Sequence, residues 1–345
     1  MRTELFDYDL PPELIAQHPK PRGESRLLVL HRESGRIEHR AFSDMGDYLQ
    51  AGDTLVLNDT RVTARRLLGL RENGLPAEVL LLRPVGNRAW AALVKPGKSL
   101  RIGKTLTLPD PIGGKPLLAT VAETTPEGGR VLAFADTEAR DRIAVWGETP
   151  LPPYIHAKLG KNEEERYQTV YAREGGSAAA PTAGLHFTDA QLKKIQAQGV
   201  SLAFLTLHVG VGTFRPVRAE EIEAHEMHKE TYHLSQNAAE VINSTRGRVF
   251  AVGTTSVRTL ESVALQNEEA GKRVLSTAGE TQIFITPGFP FRATDALITN
   301  FHLPKSTLLM LVSAFANREQ VMEAYAQAIA ERYRFFSFGD AMLIL

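Results

Sequence analysis

The sequence predicts an α/β protein, in which a large mixed-sheet α/β domain carries a small inserted antiparallel β-barrel. Residues 150–345 alternate apolar strands with capped helices, which is typical of a mixed or parallel sheet flanked by helices. Residues 63–149 carry short apolar runs, spaced about 8–12 residues apart by turn signals, as in a sandwich or barrel. We therefore expect a discontinuous α/β domain over 1–62 and 150–345, with the barrel over 63–149.

The first two elements are buried strands at 25–30 and 54–57. The second runs directly into the polar cluster 58–61, at the carboxyl end of a strand, where α/β sheets bind ligands. The barrel strands are predicted at 66–70, 78–82, 89–94, 105–108, 117–122 and 131–134, followed by a helix near 136–146. The glutamate-rich stretch 160–165 is predicted to be an exposed loop.

Helix signals recur in the last third of the chain. Thr188 and Gln191 form a capping box and Gly199 ends that helix, while Ser306 caps another helix over 307–316. Further helices are predicted at 255–266 and around 321–329, and buried strands at 201–209, 249–252 and 296–301.

Composition and charge exclude several classes of protein. There are no cysteines, which excludes disulfides, thiolate zinc sites, cysteine-ligated iron–sulfur clusters and a cysteine nucleophile. The chain has 40 basic and 40 acidic residues, so it is not a uniformly basic nucleic-acid binder. Residues 61–104 nevertheless carry ten basic and two acidic side chains, a net charge of +8. This segment predicts either a surface for a phosphate backbone or a solvated sheet face.

The same sequence predicts a soluble, cytoplasmic protein. The N-terminal stretch has acidic residues and no apolar core, unlike a signal peptide. The longest apolar run near the C-terminus, 308–316, is much shorter than the about 20 residues that a membrane span needs.

Common ligand motifs are incomplete. The G-x-G at 210–212 lacks the third glycine of a dinucleotide site, because Arg215 and Pro216 follow. Pro304 precedes Lys305 where a P-loop needs glycine. His225 and His228 lack zincin spacing; with His233 nearby a metal site stays an open alternative, although we expect none.

Five polar loops at strand ends remain, and we expect them to converge on one cavity. They are 58–61, 180–188, 208–214, 253–256 with Arg258 following, and 299–306. Helix N-termini among them offer free N–H groups to carboxylates or phosphates, and three loops carry a histidine suited to proton transfer. For any one loop, ordinary turn and capping chemistry is the alternative explanation.

At these residues the sequence closely resembles the S-adenosylmethionine:tRNA ribosyltransferase-isomerase family of queuosine biosynthesis. Two small departures are Ala178, where the family usually has valine, and His156, where a basic residue is common. The matching stretches are 6–11, 25–30, 58–62, 150–155, 166–171, 180–188, 206–217, 251–262, 298–315 and 333–344.

The resemblance implies an α/β domain with an inserted barrel and a monomeric enzyme without a permanently bound cofactor. S-adenosylmethionine would be the ribosyl donor, and the acceptor 7-aminomethyl-7-deazaguanine at the wobble position of a tRNA with a GUN anticodon. The products would be epoxyqueuosine-tRNA, adenine and methionine. A base would remove a proton from the ribose 5′ carbon, elimination would open the sugar and release adenine, and the aminomethyl nitrogen would add to the vinyl sulfonium before the sugar recloses.

On this basis we assign candidate roles. His186, His208 and His302 are the acid–base candidates, and Asp59 would accept hydrogen bonds from the aminomethyl ammonium or the ribose. Arg258 and the amides at 254–256 would hold the methionine carboxylate. The full substrate-binding set is Asn58, Thr60, Arg61, Thr182, Gly184, Gly210, Gly212, Thr213, Thr254, Thr255, Ser256, Arg258, Asn300 and Ser306. The tRNA-binding set is Arg65, Arg66, Arg71, Arg88, Lys95, Lys98 and Arg101.

Two other functions are compatible with the loops alone. A nucleoside hydrolase or S-adenosylmethionine lyase would use the same pocket without needing the +8 segment, and would release adenine without RNA. A non-enzymatic RNA-binding module would bind tRNA and give no product with any donor. Neither accounts for a resemblance that extends over the whole chain.

Overall fold

The computed structural model describes residues 1–125, 128–157, 160–210, 217, 219–267 and 271–345. The strands in these residues are β1 (Arg26–His31), β2 (Arg36–Ala41), β3 (Thr54–Asn58), β4 (Thr60–Val62), β5 (Arg65–Arg71), β6 (Pro76–Pro84), β7 (Ala89–Lys95), β8 (Thr105–Leu108), β9 (Leu117–Thr124), β10 (Arg130–Phe134), β11 (Glu174–Ser177), β12 (Ser201–Leu207), β13 (Glu230–Leu234), β14 (Val249–Val252), β15 (Thr277–Thr281), β16 (Ala296–Asn300) and β17 (Ala341–Ile344). The helices are α1 (Ala139–Trp146), α2 (Lys161–Arg166), α3 (Asp189–Ala197), α4 (Gln236–Asn243), α5 (Thr254–Gln266), α6 (Thr307–Ala316) and α7 (Arg318–Ala330).

The chain divides into two compact units. The first comprises Met1–Arg61, Pro152–Glu174 and Ala180–Leu345, and the second comprises Val62–Leu151 and Gly175–Ala179. The insert predicted from the sequence, 63–149, starts one residue later and ends two residues earlier than this second unit, and it omits 175–179.

A nine-stranded mixed sheet forms the centre of the first unit, in the order β15-β13-β12-β3-β14-β16-β17-β1-β2. The four adjacent strands β12, β3, β14 and β16 are parallel, with Leu55 of β3 aligned to Leu202 and Phe250 of its neighbours. Their carboxyl ends therefore meet at one edge of the sheet, where α/β proteins bind ligands. The mixed sheet with helices confirms the predicted α/β class.

Four central strands of this sheet are buried along their whole length. Every residue of β3, β14, β16 and β17 is buried, as in strands covered on both faces. Leu57, Phe250, Val252 and Ile298 belong to one apolar cluster. A rigid core thus supports the loops that follow these strands.

The second unit is a closed antiparallel barrel in the order β10-β7-β6-β5-β8-β9. Its interior is apolar, and the rings of Trp90 and Phe134 meet edge to face at 5.3 Å within a cluster that includes Val121 and Leu132. The six predicted strands and the helix after them are present, which confirms the inserted barrel.

The helix caps follow the sequence closely, and one predicted loop is wrong. Gln191 N donates to Thr188 Oγ1 at 3.1 Å at the start of α3, and Leu309 N donates to Ser306 Oγ at 3.2 Å at the start of α6. The predicted exposed loop at 160–165 is instead the short helix α2. Among the described residues no helix combines the length and apolar composition that a membrane crossing needs.

Candidate active site

A cavity of about 680 Å³ opens at the carboxyl ends of β14 and β16. This volume includes the solvent-filled space at the mouth of the cavity. The loops after β12, β14 and β16 all contribute to its wall, together with the stretch before α3. Six of the residues predicted to bind or transform the substrate line it: Thr182, Thr254, Thr255, Asn300, His302 and Ser306.

Two helices begin at this cavity. Gly253 precedes α5 with a φ of 88°, a conformation that glycine adopts without strain. Ser306 caps α6, and its hydroxyl also donates to the carbonyl of Leu303 at 2.8 Å. The first N–H groups of a helix have no partner within the helix and carry partial positive charge. The cavity is therefore suited to a carboxylate.

The side-chain oxygen of Thr255 lacks a protein partner. This hydroxyl is buried, and no described residue hydrogen-bonds to it. A buried hydroxyl without a partner carries a desolvation cost, so such groups in a ligand cavity are natural contacts for the ligand. The Thr255 hydroxyl is therefore a candidate contact for a polar group of a ligand at the start of α5.

Hydrogen bonds to the backbone N–H, the backbone carbonyl and the ring of His302 fix its position. Its N–H donates to the Tyr325 hydroxyl at 2.9 Å, and its carbonyl accepts from the Tyr8 hydroxyl. Its Nε2 lies 2.8 Å from Thr299 Oγ1. Burial lowers the pKa of His302 to about 3, which keeps the ring neutral near pH 7. A ring with so low a pKa is a weak base, so it accepts a proton only from a strongly acidified group.

His186, by contrast, is buried behind the cavity. Asn300 Nδ2 lies 3.1 Å from both the Phe336 carbonyl and His186 Nε2. A carbonyl only accepts, so Nδ2 donates and Nε2 of His186 must be the acceptor. The proton is then on Nδ1, 2.9 Å from Ser25 Oγ. The structure does not place His186 where substrate would be, and burial lowers its pKa to about 4.

Sequence reasoning missed several residues of the cavity wall, three of which lie together. Tyr154, Phe336 and Ser337 all line it; the rings of Tyr154 and Phe336 lie 4.7 Å apart, and the Tyr154 hydroxyl is 2.7 Å from Ser337 Oγ. Phe336 has a φ of 70°, which is rare for a bulky residue and is often found at functional sites. No periodicity marks these residues, although 150–155 and 333–344 lie in the stretches that carry the resemblance.

The first predicted loop does not reach the cavity. Asn58 and Asp59 are buried and make internal hydrogen bonds: Asp59 accepts from Thr206 Oγ1 at 2.7 Å and from Arg173 Nη2 at 2.9 Å. Asn58 accepts from the N–H groups of Leu207 and Thr60. These carboxylate and amide groups hold the ends of β3 and β12 together. Arg61, on β4, is exposed.

His208 lies beside the first predicted loop and not in the cavity wall. Its Nδ1 lies 2.8 Å from Thr60 Oγ1, and burial lowers its pKa. The neighbouring Gly210 donates its N–H to Glu230 Oε1 at 3.0 Å. Gly212 and Thr213, which were also predicted to bind substrate, lie outside the described residues.

Three other predicted binding residues have internal roles. Arg258 is buried in α5 against the carboxylate of Glu230, so it does not line the cavity. Ser256 Oγ donates to the Val252 carbonyl at 2.8 Å. At Gly184, any β-carbon would collide with the Tyr171 hydroxyl, so glycine permits close packing there. None of these three residues lines the cavity.

The cations of the barrel differ in how well they are neutralised. Arg66 bonds Glu78 at 2.7 Å and Glu148 at 3.4 Å. Arg65 and Arg71 are half-buried, and each has a buried Nε without a described partner. The predicted tRNA-binding residues that are exposed and have no ion pair to a described residue are Arg88, Lys95, Lys98 and Arg101.

Comparison with known proteins gives this arrangement a family. The family model described as queuosine biosynthesis protein matches residues 3–344. The chain belongs to the queuosine biosynthesis protein family. It is 56% identical to the S-adenosylmethionine:tRNA ribosyltransferase-isomerase of Symbiobacterium thermophilum and 53% identical to that of Staphylococcus saprophyticus, with 100% of each chain covered.

A solved structure supports the same relation. The crystal structure of S-adenosylmethionine tRNA ribosyltransferase from Thermotoga maritima is 40% identical, with a TM-score of 0.56 over 99% of this chain and 100% of that one. Within the described part of this family member, no group of three or more histidine, aspartate or glutamate side chains is arranged to hold a metal ion.

Proposed function

We propose that this enzyme transfers and isomerises the ribosyl group of S-adenosylmethionine onto 7-aminomethyl-7-deazaguanine at the wobble position of tRNA. The products are epoxyqueuosine-tRNA, adenine and methionine. The observation that carries the proposal is the cavity itself: in a member of this family, two helix N-termini, a threonine hydroxyl without a described partner, three aromatic rings and a neutral histidine line one space.

The parts of the donor match the parts of the wall. The methionine carboxylate lies at the N-terminus of α5, where the amides of Thr254 and Thr255 hold it without the contribution predicted from Arg258. The adenine packs on Tyr154 and Phe336, because flat aromatic surfaces bind bases by stacking. Asn300 and Thr182 orient the sugar; Thr182 Oγ1 lies 3.3 Å from Asn300 Oδ1.

His302 is the base that we assign to the first step. The sulfonium acidifies the 5′ carbon, and the neutral ring takes the proton while elimination opens the sugar and adenine departs. The aminomethyl nitrogen then adds to the vinyl sulfonium. Closure to the epoxycyclopentane breaks the carbon–sulfur bond, and its electron pair leaves with methionine. General acid–base catalysis contributes about 10²–10⁴-fold, so His302→Gln should lower kcat by that order.

The barrel supplies a tRNA surface in this proposal. The exposed cations Arg88, Lys95, Lys98 and Arg101, which have no ion pair to a described residue, contact phosphates of the tRNA. Such contacts carry no sequence information but fix how the protein is positioned on the RNA. We also propose that the enzyme is a cytoplasmic monomer, which light scattering of the purified chain would test for oligomeric state.

Mass spectrometry of tRNA nucleosides tests the reaction. The protein is incubated with S-adenosylmethionine and with tRNA that carries the deazaguanine precursor, and unmodified tRNA is the control. We expect epoxyqueuosine only with the precursor, together with equal amounts of adenine. Adenine released at the same rate without RNA would instead indicate a lyase or hydrolase, and tRNA binding without any product would indicate a binding protein.

A further inference from the structure

A second, smaller cleft lies beside the cavity in the same unit. Its volume is about 280 Å³, and Ser337 lines both spaces. Lys20, Arg22 and Arg166 form its charged wall. His186 lies at its inner side, so the bond from His186 to Asn300 connects the walls of the two spaces. No role was predicted for these three cations from the sequence.

Positive charge in this cleft exceeds negative charge. Among the described residues no ion pair within 4.0 Å involves Arg22 or Arg166, and the attraction of the Asp189 carboxylate for Arg22 is outweighed by burial and by repulsion from Arg166. The buried Asp340 accepts hydrogen bonds from the backbone N–H groups of Arg26 at 2.9 Å and Arg334 at 2.8 Å, and it is the one described carboxylate paired with a cation of this cleft. Its carboxylate lies 3.7 Å from the Lys20 ammonium. Burial, and then repulsion by Arg166, lower the pKa of Arg22 to about 10.

The two guanidinium groups are fixed in place without being neutralised. Arg22 donates to the carbonyls of Leu185, at 2.9 Å, and Gln168. Arg166 donates to the carbonyl of Lys20. Hydrogen bonds to carbonyls orient a guanidinium but leave its formal charge uncompensated. Held charges of this kind need little reorganisation when an anion binds.

We propose that this cleft, formed by Lys20, Arg22 and Arg166, binds a phosphodiester of the RNA strand next to the nucleotide that enters the cavity. The inference rests on the proposed function, because an internal nucleotide carries a phosphate on each side. A planar guanidinium fork matches phosphate oxygens, and the ammonium of Lys20 adds a point charge. The other anion in the reaction, the carboxylate of S-adenosylmethionine, is assigned to the start of α5.

Arg166 provides the main test, because charge and backbone support can be separated there. Arg166→Gln removes the charge, whereas Arg166→Lys keeps it and loses the planar fork that supports the Lys20 carbonyl. Binding of a fluorescent, unmodified anticodon stem-loop RNA is measured by anisotropy over a range of salt. We expect Arg166→Gln to weaken binding about tenfold at low salt, and Arg166→Lys to weaken it less, because lysine keeps the charge and loses only the fork.

Salt dependence gives an independent reading. The slope of log affinity against log salt should flatten by about 0.7 for Arg166→Gln, as expected for one lost contact to a single strand. Lys20→Gln, at a partly exposed side chain, should flatten it similarly if Arg166→Gln does not fold. Lys229→Gln is the matched control, because that lysine is 61% exposed and pairs with Glu280 on the surface.

The outcomes separate the alternatives. If Gln and Lys at 166 weaken RNA binding equally, the arginine only supports the chain at Lys20 and the proposal is wrong. If the KM for S-adenosylmethionine rises while RNA affinity stays unchanged, the cleft holds the donor carboxylate instead. Failure of the proposed function is distinguishable, because it would show as absent turnover of precursor tRNA by the unmodified enzyme, whatever the stem-loop affinities.

Discussion

Thr255→Val should raise the stability of the free protein and weaken binding of S-adenosylmethionine. Valine keeps the branched shape and removes only the hydroxyl. That hydroxyl is buried and lacks a described partner, so its loss costs the folded protein no hydrogen bond. In the bound state the same hydroxyl serves the ligand. The two effects therefore have opposite signs, which distinguishes a ligand contact from a structural one.

The magnitudes follow from ordinary hydrogen-bond energetics. Removing a buried unsatisfied polar group relieves about 1 kcal/mol, the low end of its desolvation cost, and raises the free energy of unfolding by that amount. Losing one neutral hydrogen bond to the ligand costs about 1 kcal/mol, which is about fivefold in KM for S-adenosylmethionine. The KM for tRNA should not change, because the contact is to the donor.

Thr259→Val is the matched control for this experiment. Thr259 lies one helical turn further along α5, outside the cavity wall, and its hydroxyl donates to the Thr255 carbonyl at 3.1 Å. The assay combines denaturant unfolding without substrate and initial rates of adenine release with precursor tRNA. If Thr255→Val leaves KM unchanged, or lowers stability as Thr259→Val does, the hydroxyl is not a ligand contact.

Three further results are expected. Gly184→Ala should lower Tm and reduce soluble yield, because its methyl group would collide with the Tyr171 hydroxyl; circular dichroism melting measures this, and an unchanged Tm would show that Tyr171 moves freely. Burial lowers the pKa of His186 to about 4 and of His302 to about 3, from a usual value near 6.5. Below pH 6.5 these histidines take up protons in the unfolded chain before the folded one, so the free energy of unfolding should fall as the pH drops from 6.5 toward 3. Urea unfolding at pH 7, 5 and 4 should show this fall, and it should be less steep in His186→Gln. Lys98→Gln should flatten the salt dependence of tRNA binding more than Lys104→Gln, because Lys104 already pairs with Glu72 at 2.9 Å. Equal slopes for the two variants would show that Lys98 does not contact tRNA phosphates.

The elements that sequence predicted well are those with a local signal. Ser306 marks the start of α6 because a cap and an apolar helix follow each other in the chain. Strands β3 and β14 are short apolar runs bounded by polar residues, so the sequence predicts that they are buried. Helix α2, of sequence KNEEER, lacks an apolar stripe, so its sequence predicts a loop.

The site was less predictable because burial and pairing are tertiary properties. The sequence places Arg258 correctly at the start of a helix, but Glu230, which neutralises it, lies 28 residues away on β13. His186 occupies a polar loop in the sequence, and only the fold shows it packed against Phe42 with ring centroids 5.0 Å apart. Phe336 lines the cavity with a backbone φ of 70°, and no residue pattern in the sequence predicts that conformation.

The charge distribution around the cavity suits a cationic substrate that loses its charge. The described residues that line the cavity include no lysine, arginine, aspartate or glutamate. No carboxylate in that wall therefore stabilises the sulfonium in the ground state, and the cations Lys20, Arg22 and Arg166 line the neighbouring cleft. In the proposed reaction the sulfonium becomes a neutral thioether. An environment that offers no counter-charge to the starting cation favours steps that remove it, so a carboxylate introduced at the wall, as in Leu308→Asp, should tighten donor binding and slow turnover.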